Sequence, residues 1–287
     1  MARYLSTLTT YEKVIRQLAK VDPNEVASPA QSEFNDFYAL LADIIPQASR
    51  TIQLATNRAF VPYRDTREYY FRDLRTERQT TRYKLSLGED ALTVSSVVYN
   101  DVTLDPTQWR LHPANVYPST QLAIDPANGA GFDSSDFNAG IEVTGVWGYH
   151  EQISQAWTNV ETIAGSITSS ATSLTVANAA RYETLQYIRI EDEYLQISAI
   201  NTSTNVLTVQ RGVNGTTAAA HSAFAIDKFN VMPDISYCAT RLAAWSYQSR
   251  SMLQTLQYAD SSSAIPQLPE DIRNIIGMYQ RVSALSV

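Results

Sequence analysis

The chain has 287 residues, 44% hydrophobic and 18% charged, with a formal net charge of −7. That is enough apolar material for one large domain or two ordinary ones, and it excludes a disordered, highly charged chain. One cysteine, Cys238, excludes an intramolecular disulfide and a cysteine-based zinc site, and fits a reducing compartment.

In chain order, Leu8–Lys20 predicts a helix, with Thr10 as cap and Tyr11, Val14, Ile15 and Leu18 on one face. After a Pro-containing linker at 23–31, a second helix is predicted from Ser32 to about Asn57, with Pro46 kinking it. Strands dominate 58–149: Phe60–Tyr63, Glu68–Phe71, Lys84–Leu87, Leu92–Tyr99, Gln121–Ile124 and Ile141–Trp147. Asn100-Asp101 and Asp125–Gly129 carry turn chemistry, and Gly129–Gly140 reads as an exposed loop. Residues 158–228 repeat a strand-turn rhythm, with apolar and polar residues alternating in Ser173–Val176, Tyr187–Ile190, Glu193–Ile200 and Val206–Val209. This run reads as an inserted small β-barrel or sandwich between a strand and the helix that opens after Pro233. A helix over 234–257, a polar connector over 260–269 and an amphipathic tail over 270–285 complete the chain. The expectation is an α+β fold: a helical core of N-terminal helices plus a long C-terminal helix, a β-sheet region, and the inserted β domain. The domains are then 1–157 with 229–287, and 158–228.

Charge is uneven along this layout. Residues 1–84 carry 13 Lys and Arg against 10 Asp and Glu, whereas residues 85–157 carry 1 against 9. Complementary faces of this kind suit a ring of identical subunits, and solvation of both sets is the plainer alternative. Seventeen Tyr and four Trp suit subunit interfaces or an ordinary core equally well.

No arrangement asks for catalysis, a cofactor or a metal. His112, His150 and His221 are not spaced as metal ligands. Glu191-Asp-Glu193 lacks the spacing of a calcium loop and reads as a solvated hairpin turn. Arg64, Arg67, Arg72, Arg75, Arg78, Arg82 and Lys84 form a basic run, interleaved with Asp65, Glu68, Asp73 and Glu77. A DNA-channel lining, intersubunit salt bridges and an ordinary charged hairpin all remain open for it. Neither a signal peptide nor a membrane span is expected, because no stretch approaches roughly 18 apolar residues.

The order of elements carries a resemblance. Leu92–Leu104, Trp109-Arg-Leu-His-Pro113, Val143-Thr-Gly-Val-Trp-Gly148 and Pro233-Asp-Ile235 with its helix resemble the head–tail connector, or adaptor, proteins of tailed bacteriophages, over roughly 5–157 and 229–257. Tyr187–Tyr194 and Leu207–His221, with an Arg-Gly-x-x-Gly-Thr turn and Ala-x-His, are similar to a small β module of phage virion proteins. The resemblance implies a non-enzymatic virion protein at the head–tail junction, assembled in the host cytoplasm. It implies a ring of about twelve copies, bound beneath the portal and continuing the channel for double-stranded DNA without sequence specificity. The ring would dock the next neck or tail protein, a tail terminator or tail-tube-like protein. Adaptors of this kind are typically shorter and lack the insert, so the role of 158–228 is open. On this reading Ile272, Ile275, Ile276 and Tyr279 of the tail helix grip the portal, or else fold back on their own core. The alternative is a carbohydrate- or receptor-binding virion protein in which Tyr182, Tyr187 and Tyr194 stack on sugars.

Overall fold

Apolar–polar alternation is the prevailing pattern from Tyr63 onward, and the backbone follows it into antiparallel sheets. The computed structural model describes residues 6–21, 31–70, 80–81, 84–114, 116–124, 140–256 and 268–281. The predicted connector over 260–269, except for its last two residues, lies outside them, as do the turn over 125–129 and the loop up to Ala139.

Two compact units result. One takes in the chain up to Phe60 and Gln155–Arg281, the other Val61–Ser154. In the second unit, β1 (Tyr63–Tyr70), β2 (Thr80–Thr81), β3 (Lys84–Tyr99), β4 (Val102–Thr103), β5 (Trp109–His112), β6 (Ser119–Ile124) and β7 (Gly140–Trp147) form a seven-stranded sheet. Its order is β1-β7-β3-β6-β5, with β2 and β4 also paired to β3. Asn100 and Asp101, both at positive φ (49° and 62°), make the tight turn that returns β3 into β4. Gly145 allows β7 and β3 to approach closely: a Cβ there would lie 2.2 Å from the Thr93 carbonyl oxygen.

The first unit holds β8 (Trp157–Ile167), β9 (Ser173–Thr175), β10 (Tyr187–Ile190), β11 (Glu193–Asn201), β12 (Val206–Gln210) and β13 (His221–Phe229). They form one six-stranded sheet in the order β8-β13-β10-β11-β12-β9. Its core is made of its own side chains, among them Leu174, Ile188, Ile190, Leu195, Ile197, Leu207, Phe224 and Ile226. The same unit holds helices α1 (Tyr11–Val21), α2 (Gln31–Thr56), α3 (Pro233–Leu256) and α4 (Glu270–Tyr279). Thr10 caps α1 through its side chain, and Asn57 ends α2 in the left-handed region (φ 55°).

Residues 6–10, partly assigned to a helix from the sequence, are a buried strap ahead of α1. The Leu8 amide donates to Ser49 Oγ (3.0 Å), and Thr9 and Thr240 share a hydroxyl bond (2.6 Å). The Thr7 amide donates to Tyr187 Oη (3.2 Å), Gln196 Nε2 donates to Thr7 Oγ1 (2.9 Å), and Ser6 Oγ donates to Asn214 Oδ1 (3.2 Å). The run Ser-Thr-Leu-Thr-Thr thus satisfies its buried polar groups on helices and sheet together.

The expected fold class is corrected by this architecture. Among the described residues strand exceeds helix, 40% against 30%, and the two antiparallel sheets, not a helical core with a long C-terminal helix, make the fold mostly β. The helical stripes at both ends are real locally. The decisive pairings, such as β1 with β7 and β8 with β13, join residues far apart in sequence and leave no local periodicity to read. Of the predicted strands Phe60–Tyr63 and Glu68–Phe71, the last residue of the first and Glu68–Tyr70 of the second belong to one strand, β1, and Phe71 lies outside the described residues.

Candidate functional site

The motif singled out in the sequence, Arg211 to His221, is the loop from β12 to β13, and its geometry explains its residue types. The strand ladder ends at Gln210 and resumes at His221, so the intervening backbone needs other partners. Glu193, the first residue of β11, provides them. Its Oε1 accepts from Arg211 Nε (2.7 Å) and the Gly212 amide (3.0 Å). Its Oε2 accepts from Arg211 Nη2 (2.7 Å), the Ala219 amide (3.0 Å) and His221 Nε2 (2.8 Å).

Arg211 uses all its donors. Besides the carboxylate, Nη1 donates to the carbonyls of Thr168 (3.0 Å) and Ala171 (2.9 Å), and Nη2 to that of Ala219 (2.6 Å). Gly212 sits at φ +61°, and a Cβ there would crowd the Ala218 amide nitrogen at 3.0 Å. Asn214 and Gly215 turn the chain at positive φ. Thr216 Oγ1 donates to the Val213 carbonyl (2.8 Å) and accepts from the Tyr194 amide (3.0 Å).

The Glu193 side chain is 1% exposed, that of Arg211 6% and that of His221 2%. Burial alone would raise the Glu193 pKa. Hydrogen bonds from Arg211, the Ala219 amide and His221 reverse the direction and bring it from 4.5 to about 2. Glu193 is therefore not part of a solvated turn. Its neighbours Glu191 and Asp192 are the exposed turn residues, Glu191 reaching His221 Nδ1 at 2.9 Å. The missed signal was non-local: one acidic residue opening a strand, and an Arg-Gly and a His that close on it from a loop later in the chain. Such a cluster holds a loop in one shape, with donors and acceptors matched inside it.

The tail-helix residues lie on α4, which folds back on its own unit. Ile272 is fully buried, and Ile275, Ile276 and Tyr279 are half-buried. Asp271 accepts from Arg241 Nε (3.0 Å) and Tyr237 Oη (3.3 Å). Tyr279 packs edge-on against Phe60, donates from its hydroxyl to Asp234 Oδ2 (3.1 Å), and accepts at its carbonyl from Arg58 Nε (2.8 Å). The outward face of the helix carries Arg273, Asn274 and Met278, the last 69% exposed.

Of the basic run, Arg64, Arg67 and Lys84 are described, Lys84 exposed at the start of β3, and Arg72, Arg75, Arg78 and Arg82 lie outside the described residues. Arg64 and Arg67 occupy opposite faces of β1, because three residues along a strand reverse the side. Arg67 is buried. It pairs with Glu89 (2.9 Å) and Asp65 (3.1 Å), donates to Tyr63 Oη (3.0 Å), and stacks over Trp147. Tyr182, Tyr187 and Tyr194 are buried, 4%, 6% and 4% exposed, so their rings are engaged within the protein. Tyr182 donates to Glu161 and Tyr194 stacks on Trp157.

Among the described residues, no three or more His, Cys, Asp or Glu gather as a metal site, and no helix is long and apolar enough to cross a membrane. No protein-family model matches the chain, and no curated protein matches it.

Proposed function

We propose that this chain is a structural subunit of a phage neck: an adaptor ring between the portal and the next neck or tail protein, around the path of double-stranded DNA. The observation that carries the reading is the way residues 158–228 join the chain. β8 and β13 pair from Trp157↔Phe229 to Ile167↔His221, so the run enters and leaves on neighbouring strands. The Asn230 amide closes the junction on the Ala156 carbonyl (2.8 Å), and Asn230 Nδ2 on Thr158 Oγ1 (2.7 Å). A strand, a β module and a helix follow one another as the resemblance requires, and the loop carrying the phage-like motif is held rigid by buried charge. Portal contact falls to the accessible face of α4, with Met278 beside Ile275, Ile276 and Tyr279, while Ile272 anchors the helix to its own unit. The uneven charge of the chain supplies complementary surfaces for a ring of identical subunits.

Electron microscopy of the full chain mixed with the portal ring of the same virus tests this. The expected result is a collar of added density on the tail-facing side of the portal with matching rotational symmetry. Portals that stay bare at saturating protein overturn the reading.

A further inference from the structure

A cavity of about 390 Å³ opens between the strap ahead of α1 and the six-stranded sheet, within one compact unit. Its lining carries Lys13, Arg16, Arg181 and Lys228 against one carboxylate, Glu183. That carboxylate is already engaged: Oε1 pairs with Arg16 Nη2, and Oε2 accepts from Thr10 Oγ1 (2.9 Å). Lys13, Arg181 and Lys228 form no ion pair among the described residues. Lys13 spends one hydrogen on Ser236 Oγ (2.9 Å), which leaves it further donors. Its ammonium is held below the ordinary lysine range, chiefly by burial. Repulsion from Arg16 and Lys228 adds to this, and attraction from Glu183 opposes it. The first turn of α1 borders the same space, so the positive end of a helix adds to the field.

Lys13 and Lys228 are half-buried and Arg181 is exposed; partly buried like charges such as the two lysines are costly unless a counter-charge joins them. A recess of a few hundred cubic ångströms with convergent donors is the size of a small-ligand site. We propose that this cavity binds a multivalent oxyanion of the phosphate class, held by Lys13, Arg181 and Lys228 at the start of α1. Lysine and arginine together suit tetrahedral oxyanions, the guanidinium as a fork and the ammonium as a point charge. The anion is either free or the phosphate end of a nucleotide. The inference does not rest on the adaptor reading and survives its failure.

Isothermal titration calorimetry of the full chain at low salt, with pyrophosphate in one arm and ATP in the other, tests it. Saturable binding is expected in at least one arm. Pyrophosphate alone identifies the free anion, and much tighter ATP binding identifies a nucleotide. Arg181→Ala with Lys228→Ala is expected to weaken binding by about a hundredfold, near tenfold per lost charge-assisted contact. Arg110→Ala, in the other unit, is expected to leave binding unchanged, and circular dichroism reports whether each variant is folded. No saturable heat in either arm overturns the proposal. So does binding that the folded double variant retains at full strength.

Discussion

In the six-stranded sheet a buried carboxylate gathers a loop. In the seven-stranded sheet a buried guanidinium ties two side chains of its own strand to a carboxylate on another strand. Glu193 accepts from Arg211, Gly212, Ala219 and His221, all from a segment that follows it by 18 residues or more. Arg67 meets Tyr63 and Asp65, which share its face of β1, and Glu89 from β3. The first cluster fixes a conformation that no ladder would impose, whereas the second links β1 to β3, two strands that both pair with β7. The difference extends to hydrogen-bond accounting. Arg211 has every donor matched, while Arg67 Nε is buried without a hydrogen-bond partner among the described residues.

This contrast can be broken at its strongest point first. Glu193→Ala leaves Arg211 buried without its counter-charge and is expected to destabilise the chain by about 4 kcal/mol. Urea unfolding measures the loss, and hydrogen exchange should show protection lost first over 211–220. An equal loss of protection over 84–99 would contradict a local role.

Next is the pH dependence. The Glu193 pKa is depressed, so its stabilisation is present above about 4.5 and is lost as pH falls through about 2. Full loss amounts to about 3 kcal/mol. The difference in stability between wild type and Glu193→Gln should shrink across that window, and a constant difference would reject the assignment.

Gly145→Ala sharpens the other side of the comparison. Its new methyl meets backbone rather than a movable side chain, at an expected cost of about 2 kcal/mol. Faster hydrogen exchange should appear in β3 and β7, and unchanged exchange there would show that the strands absorb the methyl. The smallest effect is at Cys238, whose thiol is pushed up to about 12 by burial and by Asp271. Native protein should resist alkylation at pH 8 and react fully once unfolded.

Local chemistry was legible in the residues. Thr10 caps a helix, Asn57 closes one, Asn100-Asp101 turns a hairpin, Tyr187–Ile190 is a strand, and the strand Val206–Gln210 alternates as predicted. The mostly β fold was not legible, because each sheet is assembled by pairs such as Tyr63↔Trp147 and Trp157↔Phe229 that lie far apart in the chain. Glu193 was misread for a related reason. Beside Glu191 and Asp192 it resembles a solvated turn, and its burial depends on Arg211 and His221 arriving from another loop. The buried strap at 6–10 hid similarly, since Ser and Thr show no apolar stripe and their partners lie up to 231 residues away.

The pairing of β8 with β13 also has a mechanical consequence. Tension that separates Trp157 from Phe229 loads this pair from one end, so its hydrogen bonds break in succession, as a zipper opens. Peeling needs far less force than sliding two strands past each other, where many bonds must fail together. Residues 158–228 are thus poorly placed to bear a pull delivered through their own two ends. On the adaptor reading proposed above, a neck that withstands packed DNA would have to carry its load through other regions of the subunit.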